Sequence, residues 1–247
     1  LLMDVKVSFA EEPAQINTLS VQCQIGTGKF AVYKVHSSFH DKKFALKVFP
    51  KNNMGTAQYH KEKLLFHLNH PNIIQNIPIK CHHDDFHALL IEYARFGDFF
   101  ELTTSNALEN EAMIRTCFRQ LISGLEYSHT HGVAHLDLKL ENLMLGGDFN
   151  LKIIDFDQAQ PVSDKTITSG GTRDYRAPEV LSSKVSNLAA VDIYSAGVIL
   201  YAFKAQEFPF VEMNDPEGKN LKSYKGYCKD KKAFWKSKAE QKRDSKF

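Results

Sequence analysis

The sequence predicts an α+β fold of two lobes, a small β-rich N-lobe and a mostly helical C-lobe. Three observations lead there. Short alternating apolar–polar runs crowd the first third, helical periodicity takes over from Glu109, and Glu92 to Gly97 lies between as the connection. The expected boundaries are an N-terminal extension over 1–18, the N-lobe over 19–93, the C-lobe over 94–235 and a basic tail over 236–247.

Four runs read as strands: Val21 to Ile25, Ala31 to Val35, Lys43 to Phe49 and Ala88 to Tyr93, with Gly26-Thr27-Gly28 a turn between the first two. A helix is expected from Thr56 to Leu68, ended by His70-Pro71-Asn72 because a residue before proline leaves the helical region. Ile114, Cys117, Phe118, Leu121, Ile122 and Leu125 form a helical stripe, Leu143 to Leu145 and Leu151 to Ile154 a small hairpin, and Val191 to Phe203 a second helix.

Composition excludes several classes. With 247 residues, 43% apolar and 24% charged, the chain is not of disordered or fibrous type. A net charge of +2 is too near neutral for a nucleic-acid reading of the whole molecule. The charge is uneven, since Lys219 to Phe247 holds eleven basic and three acidic residues; a solvated, poorly ordered end is expected there. Four cysteines stand far apart, as suits a reducing compartment rather than a disulfide scaffold. No secretory leader is expected from Leu1-Leu2-Met3-Asp4, and Leu188 to Phe203, which contains Asp192, is shorter than the ~20 residues of a membrane span. The expected location is cytoplasmic. Oligomeric state is not legible.

The chemistry lies in a few short motifs. Glycines at 26 and 28 let backbone N–H groups approach phosphate oxygens, although a plain hairpin turn has the same look. Lys47 shares a strand face with Ala45, where a bound phosphate would neutralise its ammonium. Asn142 and Asp155 are hard oxygen ligands of the kind Mg²⁺ takes, Asp137 can accept a proton from an alcohol, and Lys139 can balance phosphoryl charge. His82-His83-Asp84-Asp85 with His87 has metal-ligand residue types but reads as a polar hairpin loop, and His129 and His131 read as interacting with a helix C-terminus.

Taken in order, these motifs resemble the eukaryotic protein kinase family of serine/threonine type. Gly26-x-Gly28-x-x-Ala31-x-Tyr33 is similar to its glycine-rich loop, Ala45-Leu46-Lys47 to its strand lysine, and His135-x-Asp137-Leu138-Lys139-x-x-Asn142 to its catalytic loop. Asp155-Phe156, Ala177-Pro178-Glu179 and Asp192-Ile193-Tyr194-Ser195-Ala196-Gly197 follow in family order. His70-Pro71-Asn72-Ile73-Ile74 also resembles calcium/calmodulin-dependent kinases.

The resemblance implies ATP- and Mg²⁺-dependent phosphorylation of serine or threonine in protein substrates. It implies a nucleotide site at Gly26, Thr27, Gly28, Val32, Ala45, Lys47, Glu92, Ala94, Asp98, Glu141 and Leu143, and metal ligands at Asn142 and Asp155. Catalytic roles fall to Asp137, Lys139, Lys47 and Glu62, and Asp192 would hold the catalytic-loop backbone from below.

Four departures support an alternative, a pseudokinase that binds nucleotide or serves as a scaffold without turnover. Counting back ten residues from Pro71, the family interval, reaches Lys61, so Glu62 needs a register shift or a π-bulge to meet Lys47. Leu136 stands where an arginine usually receives an activation-loop phosphate, so ordering through Thr166, Thr168, Ser169 or Thr172 loses its main docking cation. Asp157 replaces the glycine after Asp155-Phe156. The family's later C-terminal helices are expected to be missing, truncating the C-lobe.

Overall fold

The computed structural model describes residues 4–105, 107–108, 110–168, 171–181, 187–210 and 222–244. Ser169 and Glu109 lie outside them.

Seven antiparallel strands form the N-lobe sheet: β1 (Val5–Phe9), β2 (Asn17–Gly26), β3 (Ala31–Ser37), β4 (Lys42–Pro50), β5 (Asn76–Ile77), β6 (Ile79–Cys81) and β7 (Phe86–Glu92). Their order is β5-β7-β4-β3-β2-β1-β6. Only Pro78 separates the two outermost strands in sequence, so the sheet curls until its ends are chain neighbours. The four expected strands are all present, slightly longer than their apolar runs.

The sheet also takes in Val5–Phe9, which a boundary at residue 19 leaves in an extension. Val5, Val7 and Phe9 alternate along β1 and are buried against Leu19, Val35 and Leu46. That alternation is legible in Val5-Lys6-Val7-Ser8-Phe9, yet a five-residue run without turn signals carries little weight alone.

Helix α1 (Asn53–Lys63) packs beside β4 and continues as a 3-10 turn, Leu64–His67. The connection crosses at Gly97 (φ +79°), where Leu145 N–H donates to the Gly97 carbonyl at 3.0 Å and Phe96 N–H to Leu145 at 3.2 Å. Buried Lys152 ties the lobes by an ion pair to Glu92 (3.2 Å) and pairs within its own hairpin with Asp148 (3.3 Å).

The C-lobe is built on α2 (Phe99–Thr104), α3 (Glu111–Thr130), α4 (Pro178–Leu181), α5 (Leu188–Ala205), α6 (Lys222–Lys229) and α7 (Lys231–Asp244). The hairpin β9 (Leu143–Leu145) and β10 (Leu151–Ile153) lies against α3, while β8 (Val133–Ala134) pairs with β11 (Gln160–Pro161). The α3 stripe buries Ile114, Cys117, Leu121 and Leu125, with Phe118 and Ile122 at its margin.

Helix α5 is apolar nearly all round because it runs through the core, with Leu188, Val198, Ile199 and Phe203 buried. By length and composition it would pass for a membrane span, and half of it is buried inside the molecule.

The basic end is helical through Asp244 rather than disordered. Trp235 stacks on Tyr201 of α5 at 5.4 Å, and Tyr227 and Phe234 pack on Phe210. These aromatics supply apolar area that the charge count conceals.

Candidate active site

A cavity of about 300 Å³ opens between the lobes, bounded above by Gly26, Gly28 and Val32 and behind by Ala45 and Lys47. Glu92 and Ala94 also line it, as the resemblance implied. Thr27, Asp98, Glu141 and Leu143 are not in its lining. Asp98 instead caps α2 by accepting the Glu101 N–H at 2.9 Å. Glu141 is exposed, with its carboxylate toward the Tyr175 hydroxyl. Leu143 is wholly buried in the C-lobe core and its neighbour Met144 forms the cavity floor, since adjacent strand residues face opposite sides.

Lys47 meets its implied partner Glu62, and also Asp155, which the resemblance gave only as a metal ligand. Its Nζ lies 2.9 Å from one Glu62 carboxylate oxygen and 3.0 Å from the other, and 2.9 Å from Asp155 Oδ1. Burial alone would depress the ammonium pKa, but the Glu62 and Asp155 charges outweigh it and hold Lys47 above its usual value.

The 3-10 turn explains the Glu62 register. From Glu62 to Leu68, two α-helical and four 3-10 steps turn about 680° and rise about 11 Å. Seven α-helical steps from Lys61 would turn about 700° and rise about 10.5 Å. The tighter turn thus compensates for one missing residue, with no π-bulge. Lys61 does not oppose Lys47; its Nζ donates to the Asp157 carbonyl at 2.6 Å, beside Gln58 Nε2 at 3.2 Å. Gln58 also donates to Glu62 Oε1 at 3.0 Å, a contact no motif signalled.

The catalytic-loop motif hangs from Asp192. The two oxygens of this buried carboxylate accept the N–H groups of His135 and Leu136, each at 2.8 Å, and His129 Nε2–H at 2.7 Å. His129 therefore binds across to α5 instead of its own helix end, whereas His131 Nδ1 stays 2.8 Å from the Tyr127 carbonyl. The Asp192 anchor holds Leu136 at φ +66°, a backbone shape rarely adopted by a branched residue.

Beyond that bend, Asp137 Oδ1 accepts Thr172 N–H and Oγ1–H, both at 2.7 Å, while Oδ2 accepts Lys139 Nζ at 3.0 Å. Lys139 also reaches Thr172 Oγ1 at 3.1 Å. Asn142 turns its Nδ2 toward the Asp137 carbonyl at 2.9 Å.

Asp155 adopts a left-handed conformation (φ +61°) at the head of the 3-10 turn Phe156–Gln158. The two motifs are knitted together through Ile154. Its N–H donates to the Asn142 carbonyl at 3.0 Å, and its carbonyl accepts His135 Nε2–H at 2.8 Å. The His135 ring packs on Phe156 at 4.6 Å, as expected of a core histidine. An amide oxygen and a carboxylate suit Mg²⁺, which takes few protein ligands and completes its shell with water and phosphate. Among the described residues no set of three or more His, Cys, Asp or Glu could hold a metal, and His82 to Asp85 form a loop between β6 and β7.

Asp157 lines the same cavity, and its carboxyl is pushed up by burial and then by the Asp155 charge. Leu136 lies in an apolar cluster with Ala134, Ala177, Val180, Leu188 and Val191, to which Ile167 of the activation segment adds. The segment is thereby held by apolar contact at the position where the family uses a cation.

Comparison with known proteins agrees with this geometry. Residues 19–246 match the protein kinase domain. Serine/threonine-protein kinase SIK1 of Rattus norvegicus is 33% identical over 217 residues, 83% of this chain and 27% of that protein. Serine/threonine protein kinase OSK3 of Oryza sativa subsp. indica is 33% identical over 200 residues, 78% of this chain and 39% of that protein. The chain thus spans less than half the length of either relative. With the family's motifs assembled round one cleft, and the family match covering nearly the whole chain, this chain belongs to the protein kinase domain family.

Proposed function

We propose that the chain transfers the terminal phosphoryl group of ATP to serine or threonine hydroxyls of protein substrates, with Mg²⁺. The observation that carries this reading is Lys47 bonded to both Glu62 and Asp155 at the back of an open cleft. The misplacement of Glu62 was an argument for the non-catalytic alternative, and the Glu62 contact removes it.

In the proposed reaction Lys47 holds the α- and β-phosphates, and Glu62 fixes the direction of its ammonium. Asn142 Oδ1 and the Asp155 carboxylate would hold Mg²⁺, which when bound neutralises phosphate charge. Asp137 aligns the substrate hydroxyl and accepts its proton, and Lys139 offsets charge on the moving phosphoryl group. Gly26 and Gly28 cover the phosphates. Val32, Ala45 and Met144 sandwich the base, and Ala94 supplies a backbone contact to it. Four free thiols support a reducing compartment, and we place the chain in the cytoplasm.

Radiolabel transfer from ATP to a generic protein substrate, paired with thermal melting ± ATP/Mg²⁺, tests the reading. Asp137→Asn should lose roughly 10²–10⁴-fold in transfer and keep the nucleotide-induced rise in melting temperature. Equal transfer by the variant would remove Asp137 from its role, and a nucleotide shift without transfer in the parent chain would restore the non-catalytic alternative.

A further inference from the structure

Gln58, Lys61 and Glu62 stand at i, i+3 and i+4 on α1 and so share one face of the helix. Glu62 meets Lys47, and the other two converge on a single acceptor, the Asp157 carbonyl: Gln58 Nε2 at 3.2 Å and Lys61 Nζ at 2.6 Å. Gln58 Nε2 also donates to Glu62 Oε1 at 3.0 Å. A side-chain amide nitrogen has two N–H groups, and here each has its own acceptor. A flipped amide would set its oxygen against two other oxygens, so the partners fix its orientation.

Both acceptors belong to the charged centre of the site. Glu62 Oε1 is an oxygen that Lys47 also meets at 3.0 Å, and Asp157 lies two residues beyond Asp155, in the 3-10 turn Phe156–Gln158. Lys47 itself bonds Asp155 at 2.9 Å, which joins β4 directly to the head of that turn. The proposed reaction gives Lys47 to phosphate and Asp155 to a metal ion, so a second tether has to hold the turn while both are engaged. Lys61 bonds only the carbonyl end of this tether, whereas Gln58 bonds both ends. Asp157 also has a Cβ where the family has glycine, which narrows the backbone rotations that would carry its carbonyl away.

We propose that Gln58 is a positioning residue for phosphoryl transfer, holding the Asp155 turn on α1 while it keeps Glu62 aimed at Lys47. The inference rests on the kinase reading of the cleft. Gln58 touches neither phosphate nor substrate in this role; it acts through Glu62 and the Asp157 carbonyl.

The test compares Gln58→Met, which keeps the length of the side chain and loses its donors, with Gln58→Lys, which restores a donor. In the full chain Gln58→Met should lower kcat about tenfold, as expected for a lost hydrogen bond to a charged group, while KM for ATP stays within about twofold. Gln58→Lys should recover most of that loss. Gln58→Glu, an isostere that opposes two acceptors with a third, should lose at least as much as Gln58→Met and gives the same comparison if that variant does not fold. Hydrogen exchange without nucleotide reads the tether apart from turnover. In Gln58→Met, peptides covering α1 and Phe156–Gln158 should exchange faster together, with α3 unchanged. Parental kcat in Gln58→Met, a loss confined to KM, no recovery in Gln58→Lys, or faster exchange in α1 alone would overturn the inference and leave the kinase reading standing. Absence of transfer by the parent chain would overturn the kinase reading, and the role of Gln58 in turnover with it.

Discussion

Glu62 and Lys47 are paired through both carboxylate oxygens, at 2.9 and 3.0 Å, across the interior of the N-lobe. The pair exists because α1 ends in a 3-10 turn that rotates Glu62 rather than Lys61 toward β4. Glu62→Gln should lower transfer on the order of 100-fold by freeing the Lys47 ammonium to swing. Lys61→Ala removes only a second donor to the Asp157 carbonyl and should cost a few-fold at most. Equal losses in the two variants, measured as kcat on one substrate, would mean that Lys61 shares the positioning role.

Asp192 satisfies two backbone N–H groups of the catalytic loop and the His129 ring. Asp192→Ala leaves them buried without an acceptor while Leu136 remains in the left-handed region. Unfolding free energy should fall by about 2–4 kcal/mol, read by urea denaturation, and transfer should drop with it.

Leu136 is 4% exposed among apolar neighbours. Leu136→Ala should cost about 2–4 kcal/mol through the cavity it leaves. Leu136→Arg should destabilise at least as much, because a guanidinium there meets the apolar Val180, Val191 and Ile167, while the nearby Asp192 carboxylate is already committed to the loop N–H groups and His129. Urea melts of the two variants decide this. A stable Leu136→Arg protein would show that the site still accommodates a cation.

Cys23 and Cys228 are exposed, Cys117 is buried, and burial pushes the Cys81 thiol up to about 11. At pH 8 about one Cys81 in a thousand is thiolate. Iodoacetamide should therefore label Cys23 and Cys228 first, with Cys81 and Cys117 protected until urea is added. Peptide mass spectrometry follows the order.

His70 Nδ1 accepts the Asn72 N–H at 3.1 Å, an acceptor role that requires the neutral ring, and burial followed by the Lys152 charge holds its pKa below 6.5. A basic group lowered in the folded state is neutral without penalty above its unfolded pKa and costs stability as pH falls through 6.5. The melting temperature should decline from pH 7 to pH 5, and His70→Gln should flatten that decline. An unchanged slope in the variant would assign the effect elsewhere, His87 being the other histidine held low.

Much of the site could be read from local order. Lys47, Asp137, Asn142 and Asp155 carry chemistry through side-chain type and short spacing, and strand alternation alone puts Lys47 beside Ala45. The same alternation, applied one residue further along β9, would have named Met144 as the cavity floor in place of Leu143. Val5–Phe9 was missed because a short alternating run becomes a strand only when β2 and β6 supply partners on both sides.

Composition and motif order were enough to establish two lobes, a cleft between them and the residues that furnish its charge, because each of those facts depends on neighbours a few positions apart. Whether Glu62 or Lys61 faces that charge, and where Leu136 is buried, depended on packing. Helix pitch, a left-handed bend and contacts between residues more than fifty positions apart are set by how distant segments fit, and no local pattern in the chain encodes that fit.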